Sequence, residues 1–253
     1  MKTRIILCGA CGKMGGNVLS MLAEDENATA VCGVDLFPRE IGVPVYKNFS
    51  DIKETADIII DFSSAENLVE RLEYAKMHNL GIVLASTGFT EQDLQTIDEY
   101  SSSVAIFKTA NLSLGVNLMQ ALVKAAAEVL GESFDVEIIE KHHNLKKDAP
   151  SGTALMLADS VNEAFAEKKT LVNGRDGIVG ARTKAEIGMH AVRGGTIVGE
   201  HEVMFAGEDE IITISHSARS KRVFAAGAIR AAKFLHGKAA GRYEMKDLLA
   251  EEK

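Results

Sequence analysis

At 253 residues, 46% hydrophobic and 25% charged, with three prolines and no tryptophan, the chain can bury one or two hydrophobic cores and is no Pro-rich stalk or linker. The formal net charge of −8 excludes general nucleic-acid binding, which needs a basic face, and means that any anionic ligand must meet positive charge gathered locally. No apolar run is expected to reach the roughly 20 residues of a membrane span. Met1-Lys2-Thr3-Arg4 leads straight into Ile5-Ile6-Leu7 with no cleavage signal, so a cytoplasmic protein without a membrane partner is expected.

In chain order, strands are expected at Arg4–Cys8, Ala30–Val34, Asp57–Asp61, Ile82–Ala85 and Val104–Thr109, separated by helices at Lys13–Ala23, Glu66–His78 and Glu91–Ser101. Strands alternating with helices of this length imply parallel pairing through right-handed crossovers, a Rossmann-like doubly wound α/β sheet. A further helix is expected at Asn117–Leu130. After Gly131 the pattern changes to a strand at Phe134–Glu140, a helix at Gly152–Glu167 and strands at Ile187–Val192, Thr196–Phe205 and Glu210–His216. Consecutive strands without helices indicate an inserted α+β domain with an antiparallel or mixed sheet. The Ala-rich helix Lys221–Leu235 is expected to rejoin the first domain, which then comprises 1–113 and 220–253, with 114–219 as the insertion.

Gly9-Ala10-Cys11-Gly12-Lys13-Met14-Gly15 follows a strand and opens a helix. Its G-x-x-G-x-x-G spacing is a variant of the dinucleotide turn, in which glycine allows close approach to pyrophosphate and the helix N-terminus supplies donors. Asp35, about 20 residues on, ends the second strand, where an acid accepts hydrogen bonds from ribose hydroxyls. An acid there favours NADH over NADPH; Arg39 nearby keeps dual use open. Ser86-Thr87-Gly88 and Thr109-Ala110-Asn111-Leu112 end later strands, on the ligand side of this fold. Cys8, Cys11 and Cys32 contain a C-x-x-C, but no second pair completes a tetrahedral set. They are read as small residues of a strand end and turn, with no metal.

The segment from Glu137 to Ala154 carries the chemistry. A strand delivers His142 and His143, then Lys146 and Lys147, and Pro150-Ser151-Gly152-Thr153 begins a helix with Ser151 as its N-cap. Five basic side chains between Lys141 and Lys147, beside free helix-start amides, suit a carboxylate ligand. Reduction of a C=N or conjugated enamine bond needs a proton donor as well as a hydride donor. Either His142 or His143 could supply that proton, with Lys146 sharpening its acidity.

This signature, Glu140-x-His142-His143 with Lys146-x-Asp148-Ala149-Pro150-Ser151-Gly152-Thr153-Ala154, resembles that of the dihydrodipicolinate (4-hydroxy-tetrahydrodipicolinate) reductases. The likeness runs through Gly9–Gly15, Asp61-Phe62-Ser63, Ser86–Phe89, Ala110–Asn117, Arg193–His201, Phe224–Ala228 and Tyr243–Leu249, nearly the whole chain. It implies reduction of 4-hydroxy-tetrahydrodipicolinate to tetrahydrodipicolinate with loss of water, in diaminopimelate and lysine biosynthesis. It further implies His142 as proton donor, Lys146 as its partner, and His143, Lys146, Ser151, Gly152 and Thr153 as holders of the substrate carboxylates. Gly9, Ala10, Cys11, Gly12, Lys13, Met14, Asp35, Ser86, Thr87, Gly88, Thr109, Ala110, Asn111 and Leu112 would hold NADH or NADPH. The family also implies a homotetramer built through the second domain's sheet. Cys11 stands where a glycine or small residue is usual, Asp35 where glutamate is common, and Ser64 where some members carry arginine. The last two bear on cofactor choice. A different dehydrogenase of small dicarboxylates, such as an aspartate dehydrogenase, and a nucleotide sensor without turnover are the alternatives. The His142–Lys146–Ser151 set argues against the sensor, which has no use for a proton donor.

Overall fold

Uninterrupted runs of Ile, Leu and Val can be strands only where both faces of a sheet are covered, and that is their fate in the computed structural model, which describes residues 2–251. The chain divides into two compact units, Met1–Ser113 with Lys221–Lys253, and Leu114–Ser220. Ser220, expected with the first domain, groups with the second, in the bend that follows its last strand.

Unit 1 contains β1 (Thr3–Cys8), α1 (Lys13–Leu22), β2 (Ala28–Val34), β3 (Val45–Tyr46), β4 (Ile58–Asp61), α2 (Leu68–Met77), β5 (Gly81–Leu84), α3 (Glu91–Tyr100) and β6 (Ala105–Lys108). Its later segment adds α6 (Arg222–Leu235), β12 (Gly241–Tyr243) and α7 (Met245–Glu251). The sheet order is β12-β6-β5-β4-β1-β2-β3, parallel throughout. Alternate residues feed its two faces: Ile6, Ile59, Ile82 and Ile106 pack with Leu72 and Ala75 of α2 and Ile97 of α3. α1 and α6 pack together, and α6 lies against β4, β5 and β6. The sequence reading lacked β3, β12 and α7, which are too short to carry a periodic signal.

Unit 2 contains α4 (Leu114–Leu130), β7 (Asp135–His142), α5 (Gly152–Asn162), β8 (Thr170–Asn173), β9 (Glu186–Arg193), β10 (Gly199–Ala206) and β11 (Ile211–Ala218). The sheet is mixed, in the order β11-β10-β7-β9-β8; β10 runs antiparallel to both β11 and β7, while β7, β9 and β8 are parallel. One face packs on α4 and α5 through Val136, Ile138, Val203 and Phe205 against Met119, Val123, Leu157 and Val161. The expectation of no span-length apolar run needs correction. Leu114–Ser133 is, by length and composition, long and apolar enough to cross a membrane. Here Val116, Met119, Val123 and Ala127 are buried, and Lys124 on α4 pairs with Glu163 beyond α5 at 2.7 Å, so this helix forms part of the core of unit 2.

Candidate functional site

In unit 1 the cofactor candidates collect at the carboxyl ends of the strands, where β4 and β2 flank β1 and chain direction around the sheet reverses. Gly9 leaves β1 with φ +72°, and a Cβ on it would stand 2.8 Å from the Phe62 carbonyl oxygen, after β4. Only glycine fits this turn. A Cβ on Gly15 would overlap the Gly9 and Ala10 carbonyls, so α1 sits tight against the turn. Gly12, the N-cap of α1, offers no side-chain partner to the first-turn amides. These donors therefore fit a pyrophosphate. Half-buried Asp35 accepts from the Cys11 amide at 2.9 Å and the Phe37 amide at 3.0 Å. Each carboxylate oxygen keeps lone-pair capacity for a ribose hydroxyl. Arg39 donates to the Cys11 carbonyl. Met14, Ser86, Thr87, Thr109, Ala110, Asn111 and Leu112 line one cavity of about 470 Å³, so three segments read separately in the sequence share one wall.

Asp61 and Arg71 were given no role by sequence reasoning. Asp61 is fully buried, and its carboxylate meets Arg71 Nε at 3.0 Å. It accepts from the Ser63 amide at 3.0 Å and the Ser86 hydroxyl at 3.2 Å, while Arg71 donates to the Ser64 and Glu66 carbonyls. One buried ion pair thus ties the turns after β4 and β5. The signal was an acid ending a wholly apolar strand, Ile58-Ile59-Ile60-Asp61.

In unit 2, alternation along β7 turns Val136, Ile138, Glu140 and His142 to the buried face, and along β10 it does the same for Gly199, His201, Val203 and Phe205. The inner face is apolar at one end and polar at the other. His201 lies opposite Glu140 in register, and Arg193 opposite His142. Glu140 Oε2 lies 2.6 Å from His142 Nδ1. Arg193 clamps both carboxylate oxygens at 2.7 Å and donates to the Asp148 carbonyl at 2.7 Å, fastening the loop that carries Lys146. The Ser151 amide donates to Glu140 Oε1 at 3.0 Å. The Ser151 side chain caps α5 through the Ala154 amide at 3.2 Å and meets His201 Nε2 at 3.1 Å. The His142 and His201 rings stand edge to face, 5.2 Å apart.

Burial works to raise the Glu140 carboxyl, but Arg193 and His142 outweigh it and hold the group below its usual range. Burial pushes His201 down to about 4, helped by the neighbouring His142, His216 and Lys146 and opposed by Glu140. Lys146 pairs with Asp148 at 2.9 Å. His143 Nδ1 is buried without a protein partner, and Gly152 is exposed with open space around its Cα. The basic cluster is smaller than expected: Lys141 lies on the other face of β7, paired with Glu200 at 3.3 Å, and Lys147 is exposed. Glu140, Arg193 and His201 join the cluster around His142 and Ser151, and sequence reasoning gave none of them a role. Glu140 was discoverable, since two residues along a strand returns to the same face. Arg193 and His201 sit on strands far away in sequence.

Residues 3–112 match the family model described as dihydrodipicolinate reductase, N-terminus, and residues 115–249 match that of the C-terminus. The chain is 50% identical to the 4-hydroxy-tetrahydrodipicolinate reductase of Caldanaerobacter subterraneus subsp. tengcongensis, over 98% of this chain and 99% of that protein. It is 44% identical to the enzyme of the same name from Clostridium novyi, over 98% of each. Among solved structures it is similar to a dipicolinate-bound dihydrodipicolinate reductase from Paenisporosarcina sp., with a TM-score of 0.78 and 25% identity, covering 96% of this chain and 98% of that one. A glycine-cradled helix start in one unit, a His–Glu–Arg cluster beside a capped helix in the other, and family matches spanning both place the chain in the dihydrodipicolinate reductase family.

Proposed function

We propose that this chain reduces 4-hydroxy-tetrahydrodipicolinate to tetrahydrodipicolinate with loss of water, in diaminopimelate and lysine biosynthesis. Full-length likeness to reductases of that name supports the reading. The observation that carries it is the buried Glu140–His142 contact beside the Ser151 cap. Unit 1 is the dinucleotide-binding domain and unit 2 the substrate-binding one. A bound NADH or NADPH supplies the hydride.

The chain's residues do the rest. The ionised Glu140 carboxylate is an acceptor, so His142 donates through Nδ1–H and leaves Nε2 to carry the proton given to the substrate. Lys146 and His143 face the substrate's negative charge, and the amides of Gly152 and Thr153 at the start of α5 hold a carboxylate. Asp35 would receive the adenosine ribose hydroxyls and repel a 2′-phosphate, and Arg39 is turned to the Cys11 carbonyl, which supports NADH as the preferred donor.

The enzyme assembles as a homotetramer through the face of the second sheet away from α4 and α5. That face carries the exposed Val192 and Ile211 together with Ile139 and Met204. Its place of work is the cytoplasm, where reduced nicotinamide nucleotides and the pathway's acids meet. The deciding experiment couples the protein to pyruvate, aspartate semialdehyde and the preceding synthase and follows loss of NADH or NADPH. Synthase-dependent oxidation supports the proposal, and no turnover with either nucleotide refutes it. Sedimentation at micromolar concentration tests the tetramer.

A further inference from the structure

We infer that Glu140 is the positioning residue that selects the His142 tautomer, and that the same carboxylate sets the Ser151 cap and the Lys146 loop in place. The inference rests on the proposed role of His142 for its effect on turnover, but its geometry stands independently.

Four donors converge on one buried carboxylate. Oε2 takes His142 Nδ1 at 2.6 Å and Arg193 Nη1 at 2.7 Å; Oε1 takes the Ser151 amide at 3.0 Å and Arg193 Nη2 at 2.7 Å. A carboxylate with these partners offers lone pairs only. The neutral imidazole must therefore keep its hydrogen on Nδ1, and Nε2 is the nitrogen that gains and loses the working proton. Gly199 lies under that nitrogen, a Cβ there standing 3.1 Å from Nε2. Arg193 extends the arrangement: bonded to both oxygens of Glu140, it also holds the Asp148 carbonyl, so the loop bearing Lys146 is referenced to the same carboxylate. The contacts to the imidazole and to the helix cap both lead toward groups that meet substrate.

Glu140→Gln preserves shape and removes the pattern. An amide nitrogen at the Oε1 position would oppose both the Ser151 amide and Arg193 Nη2, whereas at the Oε2 position it opposes Arg193 Nη1 alone and can donate to His142 Nδ1, so it takes the Oε2 side. The imidazole then shifts its hydrogen to Nε2. The test is two-bond ¹H–¹⁵N correlation spectroscopy of the histidine rings in the full chain, with His142→Asn used for assignment, alongside the coupled assay. We expect the Nδ1–H form in the unmodified protein and the Nε2–H form in E140Q. The expected fall in kcat is about 10²–10⁴-fold, with NADH affinity unchanged. An Nε2–H imidazole in the unmodified protein overturns the inference, and that spectrum decides the matter should E140Q not fold. An unchanged tautomer in folded E140Q also overturns it. The expected spectra from a protein without turnover would instead sink the proposed reaction and leave the tautomer control standing.

Discussion

Gly199 lies on β10 directly against the His142 ring: a Cβ on the glycine would sit 3.1 Å from His142 Nε2 and 3.5 Å from Cδ2. The approach to Nε2 is closer than ordinary van der Waals contact, so the imidazole would have to yield by a few tenths of an ångström. Misplacement of reacting groups by about 1 Å can cost about 100-fold in rate. Gly199→Ala should therefore lower kcat by about tenfold while leaving nucleotide affinity intact. Unchanged kcat in steady-state kinetics would show that the ring yields to the methyl group without losing its working position.

His142 and Lys146 should separate kinetically. His142→Gln removes the proton donor and should lower kcat by about 10²–10⁴-fold. Lys146→Met removes charge held over the loop by Asp148, and its loss should appear in KM as well as kcat. Wild-type rates in both variants would remove the assignment.

The Asp61–Arg71 pair is buried at both ends, with 0% and 6% side-chain exposure. Arg71→Met would leave a buried carboxylate without its cation, a change costing about 3–5 kcal/mol. A fall in melting temperature with weakened NADH binding is expected, because the turns carrying Ser63 and Ser86 lose their common anchor. Unaltered NADH affinity in a folded variant would confine the pair to stability.

Acidification should destabilise the second unit in two stages. His201 is held down to about 4 from 6.5, so the fold favours its neutral ring; that contribution is full above about pH 6.5 and is lost as pH falls toward 4. Glu137, despite a burial effect that raises it, is drawn down to about 2 from 4.5 by Arg175, His190 and Arg182. Its contribution is full above about pH 4.5 and is lost as pH falls toward 2. Melting temperature against pH should show both declines, and His201→Gln should flatten the first. A flat profile between pH 7 and 4 in the unmodified protein would contradict the neutral, buried ring.

Asp35→Ala removes an acceptor that also braces the Cys11 amide. Loss of hydrogen bonds to a charged group, about 1.5–3 kcal/mol, should raise the KM for NADH by tenfold or more. NADPH, freed of repulsion, should suffer less. Equal KM values for both nucleotides before and after the change would take Asp35 out of the nucleotide site.

The sequence by itself determined the parallel sheet and the glycine turn at its carboxyl edge. Runs such as Ile58–Ile60 have one stable use, and a glycine turn between β1 and α1 admits few conformations. His142, Lys146 and Ser151 were legible for the same reason: they lie within ten residues on a strand, a loop and a helix start, whose geometry is local. Tertiary structure alone decided who holds them. Strand register brings His201 across from Glu140 and Arg193 across from His142, over separations of about 50 to 60 residues, and alternation sends Lys141 to the opposite face from its neighbour. Local propensity acts over a few residues, whereas a buried charge finds its partner only when distant strands are aligned.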